Sequence, residues 1–132
     1  MKKHLKKYAL NLGSYRYKYV AKTINRVIKP NKIGNYALGK IIIENQRHIF
    51  RVYYIGRSDT DLKTEIAKYL NEKTEYHFFK FVYHTTEQQA YEHECKNFHL
   101  LKKRKEKKYY NKIHPAKPQN SKICCPICKC TN

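Results

Sequence analysis

Cys125-Pro-Ile-Cys128 has the spacing at which two thiolates grip one zinc ion. Four of the five cysteines fall in the last nine residues, which suits a metal site in a reducing compartment better than a disulfide framework spread along the chain. One Cys-x-x-Cys supplies half of a four-ligand site. Cys95 and His99, one helical turn apart, supply the other half and give a Cys3His zinc clamp of Cys95, His99, Cys125 and Cys128. His114 is the rival for the fourth position, and Cys124 or Cys130 could replace a ligand. The plainer alternative is a tail with free thiols and a structural Cys95. A second candidate is Glu94. Ala90, Glu94, Phe98 and Leu101 share one helical face, so an apolar stripe contains a carboxylate. A carboxylate aimed at a core pairs with a cation or holds a metal, unless it sits at the edge of the stripe and keeps its water. The third candidate is a pair of phenols, Tyr36 and Tyr54.

The elements that must position these groups follow from periodicity. Apolar residues alternate along Tyr36–Ile43 and Ile49–Ile55, with Asn45-Gln46-Arg47 as a turn, which predicts an antiparallel hairpin. Pairing the two runs brings the hydroxyls of Tyr36 and Tyr54 to one locality. Gly34 and Gly56 stand where the backbone bends or is closely approached. With 13 tyrosines in the chain, packing is the default role for any one of them. After Gly56, Ser58 or Thr60 caps a helix whose apolar positions Leu62, Ile66, Tyr69 and Leu70 run to about Asn71. His77–Tyr83 alternates again as a third strand. Thr86 with Gln89 forms a capping box that opens a helix to about Leu101. The order is that of an α+β domain: a small antiparallel three-stranded sheet flanked by helices. Earlier in the chain, Val20, Ile24, Val27 and Ile28 suit a short amphipathic helix ended by Lys29-Pro30. The chain divides into a basic N-terminal arm (1–30), a central domain (31–118) and a Cys-rich, zinc-clamped tail (119–132).

Charge bounds the partners. The chain has 29 basic and 10 acidic residues, a formal net charge of +19. Residues 1–30 carry nine basic groups and no acid, residues 31–100 are nearly balanced, and residues 101–132 carry ten basic groups and Glu106. Two cationic ends around a nearly neutral middle attract polyanions and release counterions on contact, which suits nucleic acid first and an anionic membrane surface second. The run Lys102, Lys103, Arg104, Lys105, with Lys112 beyond it, supplies candidate phosphate contacts, although such a run is ordinarily a solvated helix end. No apolar stretch is long enough to span a bilayer, and the first residues lack the apolar segment of a secretory signal, so an intracellular, cytoplasmic setting is the expectation.

Four pieces, in order, resemble the GIY-YIG endonuclease family over residues 34–118. Gly34-Asn35-Tyr36 looks like the first motif, with Asn35 where an apolar residue is usual. Tyr54-Ile55-Gly56 is a full second motif. Ala90-x-x-x-Glu94 resembles the family's metal-binding glutamate helix, and Asn111 its terminal asparagine. The resemblance implies hydrolysis of DNA phosphodiesters, with double-stranded DNA as partner. It implies that Glu94 holds one catalytic Mg²⁺ or Mn²⁺, that Tyr54 and Tyr36 position or deprotonate water, and that Asn111 orients the site. Tyr36, Tyr54 and Glu94 should then line one concave, basic pocket. One position departs: the family's helix arginine falls three residues after Leu62, where this chain has Glu65. Either Arg57 takes that role, or the chain is a weakened or inactive nuclease that still binds nucleic acid.

Overall fold

The computed structural model describes residues 10–72, 75–104, 111, 114–119 and 121–128, the side chain of Arg104 excepted. Its elements are β1 (Tyr17–Lys18), α1 (Ala21–Val27), β2 (Ile33–Glu44), β3 (Arg47–Ser58), α2 (Leu62–Ala67), β4 (Phe78–His84) and α3 (Glu87–Arg104). The strands form one antiparallel sheet in the order β1-β4-β2-β3. The expected sheet of three strands therefore gains a fourth, because Tyr17 and Lys18 pair with Phe79 and Phe78. The hairpin turns at Asn45 and Gln46, whose φ angles of 50° and 64° are the left-handed values that a tight, right-twisting hairpin requires. No described helix is long and apolar enough to cross a membrane.

The hairpin is not regular. Leu38 pairs with Tyr54 but Gly39 pairs with Val52, which leaves Tyr53 as an extra residue. In an unbroken strand Tyr53 and Tyr54 would face opposite ways. The bulge instead packs both against the cluster that holds Tyr36, while Val52 and Ile55 both join the other face. Gly39 makes this possible, since a Cβ there would stand 1.9 Å from the Arg51 carbonyl.

Each face of the sheet has its own core. Tyr36, Leu38, Tyr53 and Phe79 pack with Tyr19, Ile24 and Ile28 from α1 and its flanks and with Leu62 and Ile66 of α2. Ala37, Val52 and Ile55 pack with Leu12 and with Phe98 and Leu101 of α3. From residue 10 onward, the segment expected as an arm thus contributes a strand, a helix and core side chains on both faces. The start of α3 follows the capping chemistry: Thr86 Oγ1 accepts the Gln89 N–H at 3.1 Å, and Gln89 Oε1 accepts the Thr85 N–H at 2.9 Å. At α2 the N-cap is Asp61, and Ser58 Oγ acts one step earlier, accepting the Asp61 N–H at 2.8 Å. This helix stops at Ala67 instead of reaching Asn71.

Candidate functional site

β3 lies at the sheet edge, and its C-terminal half faces α2 on one side and α3 on the other. A cleft of about 260 Å³ opens there, lined by Tyr54, Gly56, Arg57, Asp59, Glu65, Glu94 and Ala116. Glu94 and Tyr54, forty residues apart, therefore line the same cavity. Tyr36 is the exception among the expected residues. It is fully buried behind the cleft, and its hydroxyl donates to Glu65 Oε2 at 3.1 Å. Gly56 permits this approach, since a Cβ on it would come within 2.4 Å of the Tyr36 hydroxyl. The Tyr54 hydroxyl shares a hydrogen bond of 3.2 Å with that of Tyr69. The two motif rings, Tyr36 and Tyr54, have centroids 6.3 Å apart.

The cleft is not the basic pocket that the resemblance implied. Three carboxylates and one guanidinium line it. Arg57 donates from Nη1 to Glu94 Oε1 at 2.7 Å, and from Nε and Nη2 to the two Asp59 oxygens at 2.8 and 3.2 Å. Arg57 and Glu94 are each only about a tenth exposed, 11% and 12%. Burial raises the pKa of Glu94, Arg57 pulls it back down, and Asp59 and Glu65 push it up again. Burial also raises both phenols, reinforced at Tyr36 by the charge of Glu65 and at Tyr54 by the hydrogen bond with Tyr69. Both environments thus favour the protonated hydroxyl. Tyr54, which lines the cleft, can place a water by hydrogen bonding, whereas Tyr36 is closed off behind it.

Two asparagines brace this corner. Asn111 forms a double pair with the backbone of Ile55, accepting its N–H and donating to its carbonyl, both at 2.8 Å. It thereby fixes the middle residue of Tyr54-Ile55-Gly56 against the returning chain. Asn35, which replaces an apolar motif residue, is buried and donates to the Ala90 carbonyl on α3 at 2.9 Å.

The metal-ligating residues gather elsewhere. His99 of α3, His114 of the returning segment, and Cys125 and Cys128 of the tail each offer a ligand atom, all within 4.8 Å of one another. This His2Cys2 cluster supports a structural zinc site. It corrects the expected Cys3His set, because His114 occupies the place given to Cys95. The Cys95 thiol is fully buried among Tyr91 and Cys125, while the His99 and His114 rings meet with centroids 5.2 Å apart. Cys124 does not join the converging donors, and Cys130 lies outside the described residues.

The donor chemistry fits zinc in three ways. His114 Nδ1 faces the Pro115 carbonyl at 2.9 Å, which puts the ring proton there and leaves Nε2 as an acceptor, 3.4 Å from Cys128 Sγ. His99 Nε2 is buried and has no hydrogen-bond partner. The Ile127 N–H donates to Cys125 Sγ at 3.4 Å. Burial alone would raise the Cys125 thiol, but backbone N–H donors at Cys128 and Ile127, with His114, lower it to about 6. Cys95 goes the other way: burial and its hydrogen bond with Cys125 push it up to about 12, while Tyr91 pulls it back.

Of the expected phosphate contacts, Lys102 and Lys103 are exposed on the last turn of α3, with Lys102 Nζ 5.9 Å from the Phe98 ring centroid. Arg104 ends that helix, and Lys105 and Lys112 lie outside the described residues. Sequence reasoning missed Asp59 and Tyr69, and met Glu65 only as a departure from a pattern rather than as the acceptor for Tyr36. The spacing Arg57-x-Asp59 was the available signal for the first. No protein-family model, curated protein or solved structure matches this chain.

Proposed function

We propose that this chain is a metal-dependent endonuclease of the GIY-YIG type, hydrolysing phosphodiester bonds of double-stranded DNA. The observation that carries the reading is the meeting of Tyr54, Arg57 and Glu94 at one cleft, from a strand and a helix far apart in sequence. The cleft carboxylates are hard oxygen donors that suit Mg²⁺ or Mn²⁺, and they do not converge as the tail donors do, which fits an ion held by Glu94 and completed by water. Such an ion, when bound, neutralises phosphoryl charge and acidifies a water. The remaining roles belong to the chain. Tyr54, kept protonated by burial, orients water through its hydroxyl. Arg57 brings the cationic donor that the family pattern has where this chain has Glu65, and Asp59 holds that guanidinium from behind. Tyr36 and Asn111 brace the strand beneath.

A second reading is a non-catalytic nucleic-acid-binding protein of the same fold. It is favoured by Glu65 and by the engagement of Arg57 with two carboxylates. Nicking of supercoiled plasmid with Mg²⁺ or Mn²⁺ separates the two. The first expects nicked circles from the wild type and a loss of at least about a hundredfold in Glu94→Ala. DNA retention by the wild type with no nicking in either metal would leave only the second.

A further inference from the structure

At the far end of the hairpin from the cleft, residues 10–16 run past the start of β3, and Arg16 Nη2 donates to the His48 carbonyl at 3.3 Å. Between them lies a groove of about 650 Å³ whose charged lining is Arg16, Arg47 and Lys80, with no carboxylate. Among the described residues none of these three makes an ion pair, whereas Arg51, Arg57 and Lys68 each meet a carboxylate. Lys80 is partly buried, with Nζ 5.5 Å from the Phe50 ring centroid. Burial and the nearby Arg16 charge both lower its pKa. Three like charges around one concavity repel one another, and an anion between them reverses that cost.

We propose that this groove binds the phosphodiester backbone of nucleic acid, as a second contact region beyond the cleft. The inference rests on the reading that the chain binds nucleic acid, not on its cutting it. Spacing favours a polymer over a small phosphate. Arg47 and Arg57 stand ten residues apart on one strand, about 30 Å at the rise of a strand. A duplex presents the same face about every 34 Å. A duplex that lies along β3 with one phosphate at the cleft therefore offers the backbone of the next turn to the groove. The concavity is also larger than one phosphate needs, and the Phe50 ring gives it an apolar floor.

The test is fluorescence anisotropy of a labelled duplex about two turns long, without divalent metal and across a salt series. The triple variant Arg16→Gln, Arg47→Gln, Lys80→Gln should weaken binding roughly 10- to 100-fold and reduce the salt slope by about 2 to 3. A charge-matched variant at exposed positions on α1 and just after it, Lys22→Gln, Arg26→Gln, Lys29→Gln, should lose less than about threefold. Equal losses in the two would mean that net charge alone acts, and would overturn the groove; so would an unchanged slope. If the triple variant melts early, Arg16→Gln with Arg47→Gln alters only exposed side chains and carries the same test, with a slope reduction of about 2. Saturable binding of inorganic phosphate in calorimetry, lost in the same variants, would make the occupant a small anion and also overturn the proposal. Because binding is read without metal, a wild type that never nicks plasmid removes the nuclease reading and leaves the groove result standing.

Discussion

The tail cluster and the edge cleft are both built around buried groups that water would otherwise solvate, yet they are balanced in opposite ways. In the cleft the chain has already met its own demands. Glu94 has Arg57, Arg57 has Asp59, and the Tyr36 and Tyr54 hydroxyls have Glu65 and Tyr69. In the cluster, two thiols and two imidazoles face one another without a charged partner, and His99 Nε2 is buried with nothing to accept from. An arrangement of donors that leaves a nitrogen orphaned is favourable only when something foreign to the chain sits among them. A cleft that satisfies itself must instead exchange partners before it can act. On the proposed reading, the difference separates a site that completes a fold from a site that must open to take a ligand.

Metal removal probes that contrast hardest. Protein purified without chelator should carry about one zinc per chain, and stripping it should lower Tm by roughly 10 °C, because the tail, the returning segment and α3 lose their common anchor. Cys125→Ser, Cys128→Ser, His99→Ala and His114→Ala should each abolish stoichiometric zinc by metal analysis. Cys95→Ser should keep it, since that thiol meets Cys125 and Tyr91 but is not among the four converging donors. Zinc retained in His114→Ala but lost in Cys95→Ser would return the site to the Cys3His form.

The next effect belongs to the cleft. Arg57→Ala leaves Glu94 buried without its cation and should cost about 3 kcal/mol in urea unfolding, more than Glu94→Gln, which leaves Arg57 paired with Asp59. The pH dependence follows from the causes acting on Glu94. Burial already raises it above the ordinary value of 4.5, and Arg57 is what restrains the rise. Without Arg57 the folded state holds that proton more tightly still. The penalty is then absent below about pH 4.5 and grows as pH climbs through the raised folded pKa. The gap between Arg57→Ala and wild type should therefore be widest near neutral pH and narrow in acid. A gap that stayed constant with pH would mean that Arg57 stabilises the fold by packing alone.

How much of these two regions could be read from the chain divides along the same line. The hairpin, the third strand and α3 follow from periods of two and of about three and a half residues, and the capping residues Thr86 and Gln89 act where their types predict. Glu94 stands out because a helical stripe exposes a misplaced charge. What periodicity cannot carry is the path of irregular chain. Cys95 and His99 are equivalent by helical spacing, and only the placement of His114 decides that an imidazole, not the Cys95 thiol, completes the zinc set. The bulge at Tyr53 is hidden for a related reason: it breaks the alternation by which strands are recognised, and only Gly39 opposite it gives a hint. β1, two residues long, is too short to show any period. The acids of the cleft were visible as residues, and so was the helix that carries Glu65, although it ends earlier than expected; the turn that aims Asp59 at Arg57 was not.

The smallest predicted effect tests whether the two regions are coupled at all. Asn111 and His114 lie on one short stretch. The first is paired with the Ile55 backbone beneath the cleft, and the second sits in the cluster. Asn111→Ala removes two hydrogen bonds from the β3 edge and should cost about 1 to 2 kcal/mol, since water can replace part of what is lost at a half-buried position. Asn111→Asp keeps the acceptor for the Ile55 N–H but sets a carboxylate oxygen against the Ile55 carbonyl, and should cost at least as much. If the stretch acts as a strut, either change also loosens His114 and weakens zinc affinity severalfold in competition with a chelating dye, although neither touches a ligand. Unchanged zinc affinity with lowered stability would mean that the cluster is held by α3 and the tail alone, and that the cleft and the zinc site are independent neighbours.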